Sequence, residues 1–347
     1  MEITLDASAT IEDLISSYHN LNEIYVAGQD VSEIGSFGSE LLGTLKEQET
    51  LSLGLEYFLQ NDIVFSKYLK QKVQYSKEDY KVAVEGMIKD VATALYNFFK
   101  RLVSGIMDFV KKAFGLQRNV SATNESNLKR SRALFDRNQT ELKKIRIPES
   151  VPTRKDFTEV IDELGSIMRD LCKVDVESLD DDLNKILDGK SEKISFSVNY
   201  EKYLGKNYIT RLKKVGIVFD DDMPTFQTVF ANTATNTTID GAGYNYGELM
   251  ELSRKNENEI RPLHGQMDRM IKALDKVTNN RSRVRVKLKD DEENSERFKE
   301  ILEVLPREVS KLISLYHKVI SAMVAYEYKL ADIIRCIYEA LKSYSKE

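Results

Sequence analysis

The segment from Leu95 to Gly115 reads LYNFFKRLVSGIMDFVKKAFG. It is too apolar for a helix that packs on one side only, and too charged for a membrane span. Its longest charge-free runs, extended upstream, are residues 91–99 and 102–107, whereas a spanning helix needs about 20 apolar residues. The segment therefore predicts a core helix that is covered by neighbouring elements on most of its circumference.

This helix is predicted to begin well before Leu95. Residues 76–79 read SKED and resemble a capping box, in which a Ser hydroxyl and an acid three residues later satisfy backbone amides at the helix start. Apolar residues then recur at helical spacing from Val84 to Phe114, and Gly115 is of the residue type that commonly ends helices. The pattern predicts one helix over 77–114, about 57 Å long.

The composition favours helices elsewhere too. The chain has 347 residues, of which only 16 are Gly and 5 are Pro, so residues that break helices are scarce. We expect a mainly α protein, an elongated bundle of long helices. Other helical patterns lie at residues 10–27, 39–60, 126–146, 153–173, 180–189 and 260–277.

The last helical stretch carries a seam typical of coiled coils. Its apolar residues alternate at steps of four and three, and only Glu327 interrupts them. We expect the seam to associate with another helix, either within the chain or from a neighbouring molecule. The residues predicted to make this association are Ile313, Tyr316, Ile320, Met323, Leu330, Ile334, Ile337 and Leu341.

A small β element is predicted in the C-terminal half. Apolar and polar residues alternate over 194–200 and again over 284–288. Alternation with a period of two is typical of half-buried strands, so we expect these two segments to pair. Residues 232–247 have the composition of a loop.

Charge and proline positions divide the chain into three predicted parts. Residues 1–75 form an acidic helical region, with 4 Lys and Arg against 12 Asp and Glu. Residues 76–147 hold the long amphipathic helix and a basic helix after it, and residues 148–347 form a helical domain with the small β element. Over residues 76–155 there are 17 basic and 9 acidic residues, a net charge of +8.

The basic middle predicts a contact surface. Such asymmetry is typical of a protein that meets nucleic acid, a membrane or an acidic partner, but it also arises when a segment docks onto acidic parts of its own chain. The residues expected to form this contact surface are Lys100, Arg101, Lys111, Lys112, Lys129, Arg130, Arg132, Arg137, Lys143, Lys144 and Arg146.

The sequence contains no recognisable catalytic pattern. The three histidines, His19, His264 and His317, have no partners at the spacing of a zinc protease, and no G-x-S-x-G motif is present. The acid runs at 180–182 and 220–222 lack the register of a calcium loop. We therefore expect a protein that is not an enzyme and that has no metal and no cofactor.

The cysteines and glycines support the same interpretation. Cys172 and Cys336 are far apart and belong to no C-x-x-C motif, which indicates neither a zinc site nor a disulfide framework. The glycines of residues 241–247 lack the Lys-Ser/Thr pair of a phosphate-binding loop.

One resemblance to a known group emerges from the middle of the chain. Residues 91–115 (VATALYNFFKRLVSGIMDFVKKAFG) are followed by the basic, polar residues 127–144 (NLKRSRALFDRNQTELKK). An acidic helical region, a Phe- and Lys-rich amphipathic helix and then a basic segment resemble the arrangement in internal head proteins of large tailed bacteriophages. The resemblance has sequence character over about residues 84–144 and carries no functional residue across.

This resemblance implies a non-enzymatic structural component of a phage virion. Such a protein lies inside the head or lines the capsid, after assembly in the host cytoplasm, and acts through helix packing and charge complementarity. Its expected partners are capsid or inner head proteins, a second copy of the chain, and packaged DNA, but not a membrane.

The amphipathic helix leaves an alternative from a different class. Lys100, Arg101, Lys111 and Lys112 beside bulky apolar residues also suit a helix at a membrane interface. A membrane-active α-helical protein, similar to a pore-forming toxin, would use residues 84–114 in this way.

Overall fold

The prediction of a mainly α protein with long helices and a small β element in the C-terminal half is confirmed. The structure is a computed structural model, and it describes residues 8–47, 67, 69, 76–147, 151–188, 190–191, 193–220, 223–230, 237–279 and 300–345.

Long helices dominate the described parts of the chain. These helices are α1 (Ile11–Glu47), α2 (Lys77–Arg137), α3 (Arg154–Leu171), α4 (Ser178–Leu187), α5 (Tyr200–Leu204), α6 (Tyr208–Lys214), α7 (Tyr246–Asn279) and α8 (Leu305–Tyr344), and a π-helical turn at Glu300–Val304 leads into α8. Strands β1 (Ile217–Asp220) and β2 (Met223–Phe226) form an antiparallel hairpin, with Ile217 opposite Phe226.

Helix α2 is the central element of the bundle. It begins as predicted, because the Ser76 hydroxyl accepts from the Asp79 amide at 3.2 Å and the Ser76 amide donates to the Asp79 carboxylate at 2.9 Å. It packs against α1, α7 and α8. Its fully buried residues Met87, Leu102 and Val110 therefore lie in a core that several helices share.

The predicted end of this helix at Gly115 is wrong. Helix α2 continues through Gly115 to Arg137, over 61 residues, or about 90 Å. The helix continues because apolar residues remain buried beyond the glycine, among them Leu116, Leu128 and Phe135. The separate basic helix predicted over 126–146 is therefore also wrong, since its first half belongs to α2 and residues 138–144 form turns.

Helix α1 is longer than the sequence suggests. Gly35 and Gly38 predict a turn between the helical patterns at 10–27 and 39–60, but both lie inside α1. Around Gly35 the chain stays helical, and a Cβ atom built there would lie 2.7 Å from the Leu302 carbonyl oxygen. A Cβ at Gly28 would lie 2.6 Å from the Phe98 ring. Gly28 and Gly35 thus let α1 approach α2 and the π-helical turn closely. The part of the predicted second helix beyond residue 47 lies outside the described residues.

The seam of α8 is buried within the chain. All eight residues predicted for helix association have exposed fractions of 3% or less, and α8 packs on α1, α2, α3 and α7. Two tyrosine hydroxyls of α8 reach other elements, since Tyr316 of the seam donates to the Leu171 carbonyl at 2.6 Å and Tyr326 beside it donates to the Val215 carbonyl at 2.9 Å. The described residues thus supply the seam's partners from the same molecule.

The predicted strand over 194–200 is wrong, and the hairpin lies at 217–226 instead. Residues 194–199 are not helical but pair with no strand among the described residues, because carboxylates take the place of a neighbouring strand. The backbone amides of Ile194, Phe196 and Val198 donate to the side chains of Glu300, Asp182 and Glu308, at 3.0, 2.7 and 2.8 Å respectively. The predicted partner strand at 284–288 lies outside the described residues.

The remaining predicted elements agree with the structure except in detail. Thr153 caps α3 by accepting from the Asp156 amide at 3.2 Å, and the acid run at 180–182 lies in α4. The helical pattern at 260–277 belongs to α7, which begins earlier, so Pro262 lies inside the helix. Residues 237–245 lie in turns and irregular structure before α7. Buried apolar residues from all three predicted parts join one core, and the division at residue 148 stays a prediction.

A glycine substitution tests the close approach of α1. We expect Gly35→Ala to lower the free energy of unfolding by about 1–3 kcal/mol, because the new methyl group must displace backbone atoms of the π-helical turn. Gly265→Ala is the matched control, since Gly265 is also helical but a Cβ there meets nothing within 4 Å. It should raise stability by up to about 1 kcal/mol. Urea denaturation checks both, and equal effects from the two variants would contradict the close packing.

Candidate functional site

The basic residues of α2 lie in two rows along one side of the helix. Lys100, Lys111, Arg118 and Lys129 follow one another at steps of 11, 7 and 11 residues. At about 100° per residue, these steps keep the four side chains within about 20° of one another. A second row, about 100° away, contains Arg101, Lys112, Arg130 and Arg137. We call these two rows, with Arg132 beside them, the basic face.

This basic face is open to solvent. Its residues are exposed, except that Lys111 and Lys112 are half-buried. Lys143, Lys144 and Arg146 are exposed in the segment after α2, so they extend the same positive region past the end of the helix. Arg132 also lies over the Tyr246 ring at 5.7 Å, which ties this part of α2 to the start of α7.

Most of these cations have no acidic partner within the described residues. Between residues 100 and 137 there are nine Lys and Arg and three Asp and Glu, a net charge of +6. The ion pairs present are Lys112–Asp108 at 2.9 Å, Lys129–Glu125 at 3.1 Å, Arg132–Asp136 at 3.8 Å and Lys144–Glu141 at 2.7 Å. No described carboxylate lies within 4 Å of Lys100, Arg101, Lys111, Arg118, Arg130, Arg137, Lys143 or Arg146.

A groove runs beside the second row, between α2 and α8. Its volume is about 670 Å³. The lining combines amides, hydroxyls, two arginines and two tyrosines with a few apolar side chains: Ala9, Leu116, Asn119, Val120, Thr123, Asn124, Asn127, Arg130, Tyr328, Ala331, Asp332, Ile334, Arg335 and Tyr338. Arg130 therefore belongs to both the basic face and the groove.

One lining residue of the groove, Asn124, belongs to a buried polar pair. The Asn124 amide donates to the Glu327 carboxylate at 3.1 Å, and the two residues have exposed fractions of 1% and 0%. The pair explains the interruption of the α8 seam, because the polar residue of α8 meets a polar residue of α2. Sequence reasoning missed the groove. The sequence signal for a polar groove is the run of Asn and Thr over 119–127, where apolar residues become sparse along α2.

The histidines are packed against aromatic rings. His317 is 1% exposed, and its ring centre lies 4.5 Å from that of Tyr18 and 4.4 Å from that of Phe109. Neither ring nitrogen has a hydrogen-bond partner among the residues that the structure describes. Burial, together with the neighbouring Lys318 ammonium, lowers the pKa of His317 well below its usual value. His264 packs edge-on against Phe114 at 5.1 Å.

The surroundings of His317 contain more unpaired polar groups. The hydroxyls of Tyr25, Ser310 and Ser314 are buried on the contact between α1 and α8, and none of them has a hydrogen-bond partner in the described parts of the chain. The Lys318 ammonium is paired, since it donates to the Tyr18 hydroxyl at 2.5 Å. Each unpaired buried group lowers the free energy of unfolding by about 1–3 kcal/mol. The apolar residues of this contact therefore stabilise it, and its unpaired polar groups destabilise it.

The described residues provide no arrangement for a metal ion. They contain no group of three or more His, Cys, Asp and Glu side chains that could hold one. Cys172 and Cys336 are free and half-buried. None of the helices in the described ranges is both long enough and apolar enough to cross a bilayer.

Comparison with protein families, with curated proteins and with solved structures finds no match for this chain. Its function must therefore be inferred from its own residues and their geometry.

The buried imidazole predicts a dependence of stability on pH. Below about pH 6.5 the unfolded chain binds a proton at His317, whereas the folded chain keeps this imidazole neutral. The free energy of unfolding should therefore fall as the pH drops below 6.5, by at most about 1.4 kcal/mol per pH unit for this group. His317→Phe should weaken the dependence and leave stability at pH 8 equal or higher, because no hydrogen bond is lost.

The exposed His19 offers a matched control for this experiment. We expect His19→Gln to retain the pH dependence of the unsubstituted protein, as followed by urea unfolding from pH 5 to pH 8. An unchanged dependence in His317→Phe would contradict the burial of a neutral imidazole.

Proposed function

We propose that this chain is a non-enzymatic structural protein of a phage virion, located inside the head or against the inner surface of the capsid. Helix packing holds the molecule together, and charge complementarity attaches it to an anionic partner. The resemblance of residues 84–144 to internal head proteins supports the virion assignment. The basic face, whose unpaired cations lie on one side of a single 61-residue helix, supports the mode of attachment.

The geometry of the basic face suits an extended anionic surface. From Lys100 to Arg137 the helix advances by about 55 Å. Duplex DNA carries one negative charge per about 1.7 Å of its axis, so a straight row of cations meets phosphates repeatedly along this length. An acidic face of a capsid protein, or an acidic region of a second copy of the chain, is the other partner consistent with the charge.

Salt dependence tests the DNA form of this proposal. Lys100→Gln combined with Arg101→Gln removes two exposed cations that have no acidic partner among the described residues. We expect the slope of log binding constant against log salt for duplex DNA to become less steep by about 1.8, since each phosphate contact contributes about 0.9. Fluorescence anisotropy between 50 and 200 mM salt, about the range over which such contacts weaken strongly, measures this slope.

A matched control removes the same charge elsewhere. Lys206 and Lys213 are exposed and lie just before and within α6, which packs on α3, α5 and β1, so Lys206→Gln with Lys213→Gln should leave the slope unchanged. Binding that hardly responds to salt, or an equal loss in the control, would contradict a DNA contact at this face.

The location has its own test. In purified particles from cells that carry the gene and its neighbours, mass spectrometry should detect the chain in the DNA-filled head. Its consistent absence from particles that contain the capsid protein would refute the virion assignment.

The membrane-active alternative conflicts with the packing of α2. The apolar residues of 84–114 that would enter a bilayer, such as Leu102, Ile106 and Phe109, have exposed fractions of 1% or less. They face α1, α7 and α8, so these helices would have to separate first. We expect the protein to remain unbound when floated with vesicles rich in anionic lipid, and recovery with the vesicles would favour the alternative.

A further inference from the structure

We propose that the groove between α2 and α8 binds a single strand of nucleic acid, with bases stacked on Tyr328 and Tyr338 and phosphates at Arg130 and Arg335. The inference deepens the proposed function and rests on its DNA-binding form. It assigns to the groove the recognition of unpaired bases, while the neighbouring basic face attracts the phosphate backbone of any nucleic acid.

The groove has the dimensions of an elongated ligand site. Its α2 wall extends from Leu116 to Arg130 and its α8 wall from Tyr328 to Tyr338, which are about 21 Å and 15 Å of helix. The volume of about 670 Å³ falls within the usual range of ligand sites, about 300–1,000 Å³. A few linked nucleotides fit this shape.

The positive charge of the groove favours a polyanion. Arg130 is exposed and has no carboxylate partner among the described residues. It lies in the same row as Lys112 and Arg137, so a strand that leaves the groove meets further cations. Arg335 donates to the Asp332 carboxylate at 2.8 Å. Both are largely exposed, so this pair is weak, and the carboxylate can accept hydrogen bonds from base amino groups.

The two tyrosines favour a single strand over a duplex. Tyr328 and Tyr338 are both half-buried, so part of each ring is accessible from the groove. In a duplex each base is covered on both faces by its neighbours, whereas an unpaired base can offer a face to a tyrosine ring. Stacking of a base on an aromatic side chain contributes about 1–3 kcal/mol and works for any base.

The amides of the groove suit the edges of these bases. Asn127 is exposed, and its side chain has no partner among the described residues, so it can both donate to and accept from a base. Asn124 is instead held by the buried Glu327. Asn124 is thus fixed while Asn127 stays free to bind, which suits recognition that tolerates many base sequences.

Binding of a labelled oligothymidylate, compared with a duplex of equal length, tests the proposal. By fluorescence anisotropy the full chain should bind the single strand more tightly than the duplex. Tyr328→Ala and Tyr338→Ala should each weaken binding of the single strand about 10-fold, with little change for the duplex. Tyr328→Phe and Tyr338→Phe preserve the ring, and with it both folding and single-strand binding.

The outcomes separate the groove from the basic face. Lys100→Gln with Arg101→Gln should weaken the binding of the single strand and of the duplex by similar factors. If the alanine variants fold but keep the single-strand affinity, the groove proposal is overturned while the basic face stands. If only the alanine variants have an effect, the groove stands and the basic-face contact fails.

A competitor distinguishes nucleic acid from an acidic protein. Poly-glutamate at equal charge should displace the oligothymidylate poorly, because it has no rings to stack on the tyrosines. Displacement as effective as that by unlabelled oligothymidylate would overturn the groove proposal in favour of an acidic polypeptide.

Discussion

The continuity of helix α2 is the constraint on which the rest of the structure depends. One helix of 61 residues is capped by Ser76 and Asp79 at its start and packs against α1, α7 and α8. Because it is continuous past Gly115, the cations before and after the glycine lie on the same side and form one basic face. Had the helix ended at Gly115, Lys100 and Lys129 would belong to separate elements. The proposed mode of attachment to an anionic partner therefore depends on the continuity of the α2 backbone at Gly115.

The sequence predicts the start of this helix and its buried residues, because a capping box and regular apolar spacing are local signals. It does not predict the end, since glycine is both a common helix terminator and a residue that permits close packing. Gly35 is misread as a turn for the same reason, as only the folded chain brings Leu302 against it. The false strand over 194–200 arises because carboxylates from α4, the π-helical turn and α8, distant in sequence, replace a partner strand. Apart from Arg118, the residues of the basic face are named from the sequence. The groove is not, since it depends on which residues of α8 lie opposite α2.

Two contacts of α8 differ in how their polar groups are satisfied. On the side of α2, Asn124 and Glu327 form a buried pair next to the groove. On the side of α1, the imidazole of His317 and three hydroxyls are buried and have no hydrogen-bond partner among the described residues. The first contact specifies the register of two helices, and the second carries a cost in stability. Acid is expected to weaken the contact between α1 and α8, because burial lowers the pKa of His317 and the imidazole must stay neutral there.

A distance across Gly115 tests the account most directly. With Cys172 and Cys336 replaced by Ser, spin labels are attached at Lys100→Cys and Lys129→Cys, which lie in the same row of the basic face. A continuous helix places these positions about 44 Å apart along its axis, so pulsed electron paramagnetic resonance should show one narrow distribution near that value. A broad distribution, or one centred at a much shorter distance, would show that the helix breaks at Gly115 and would contradict a single basic face.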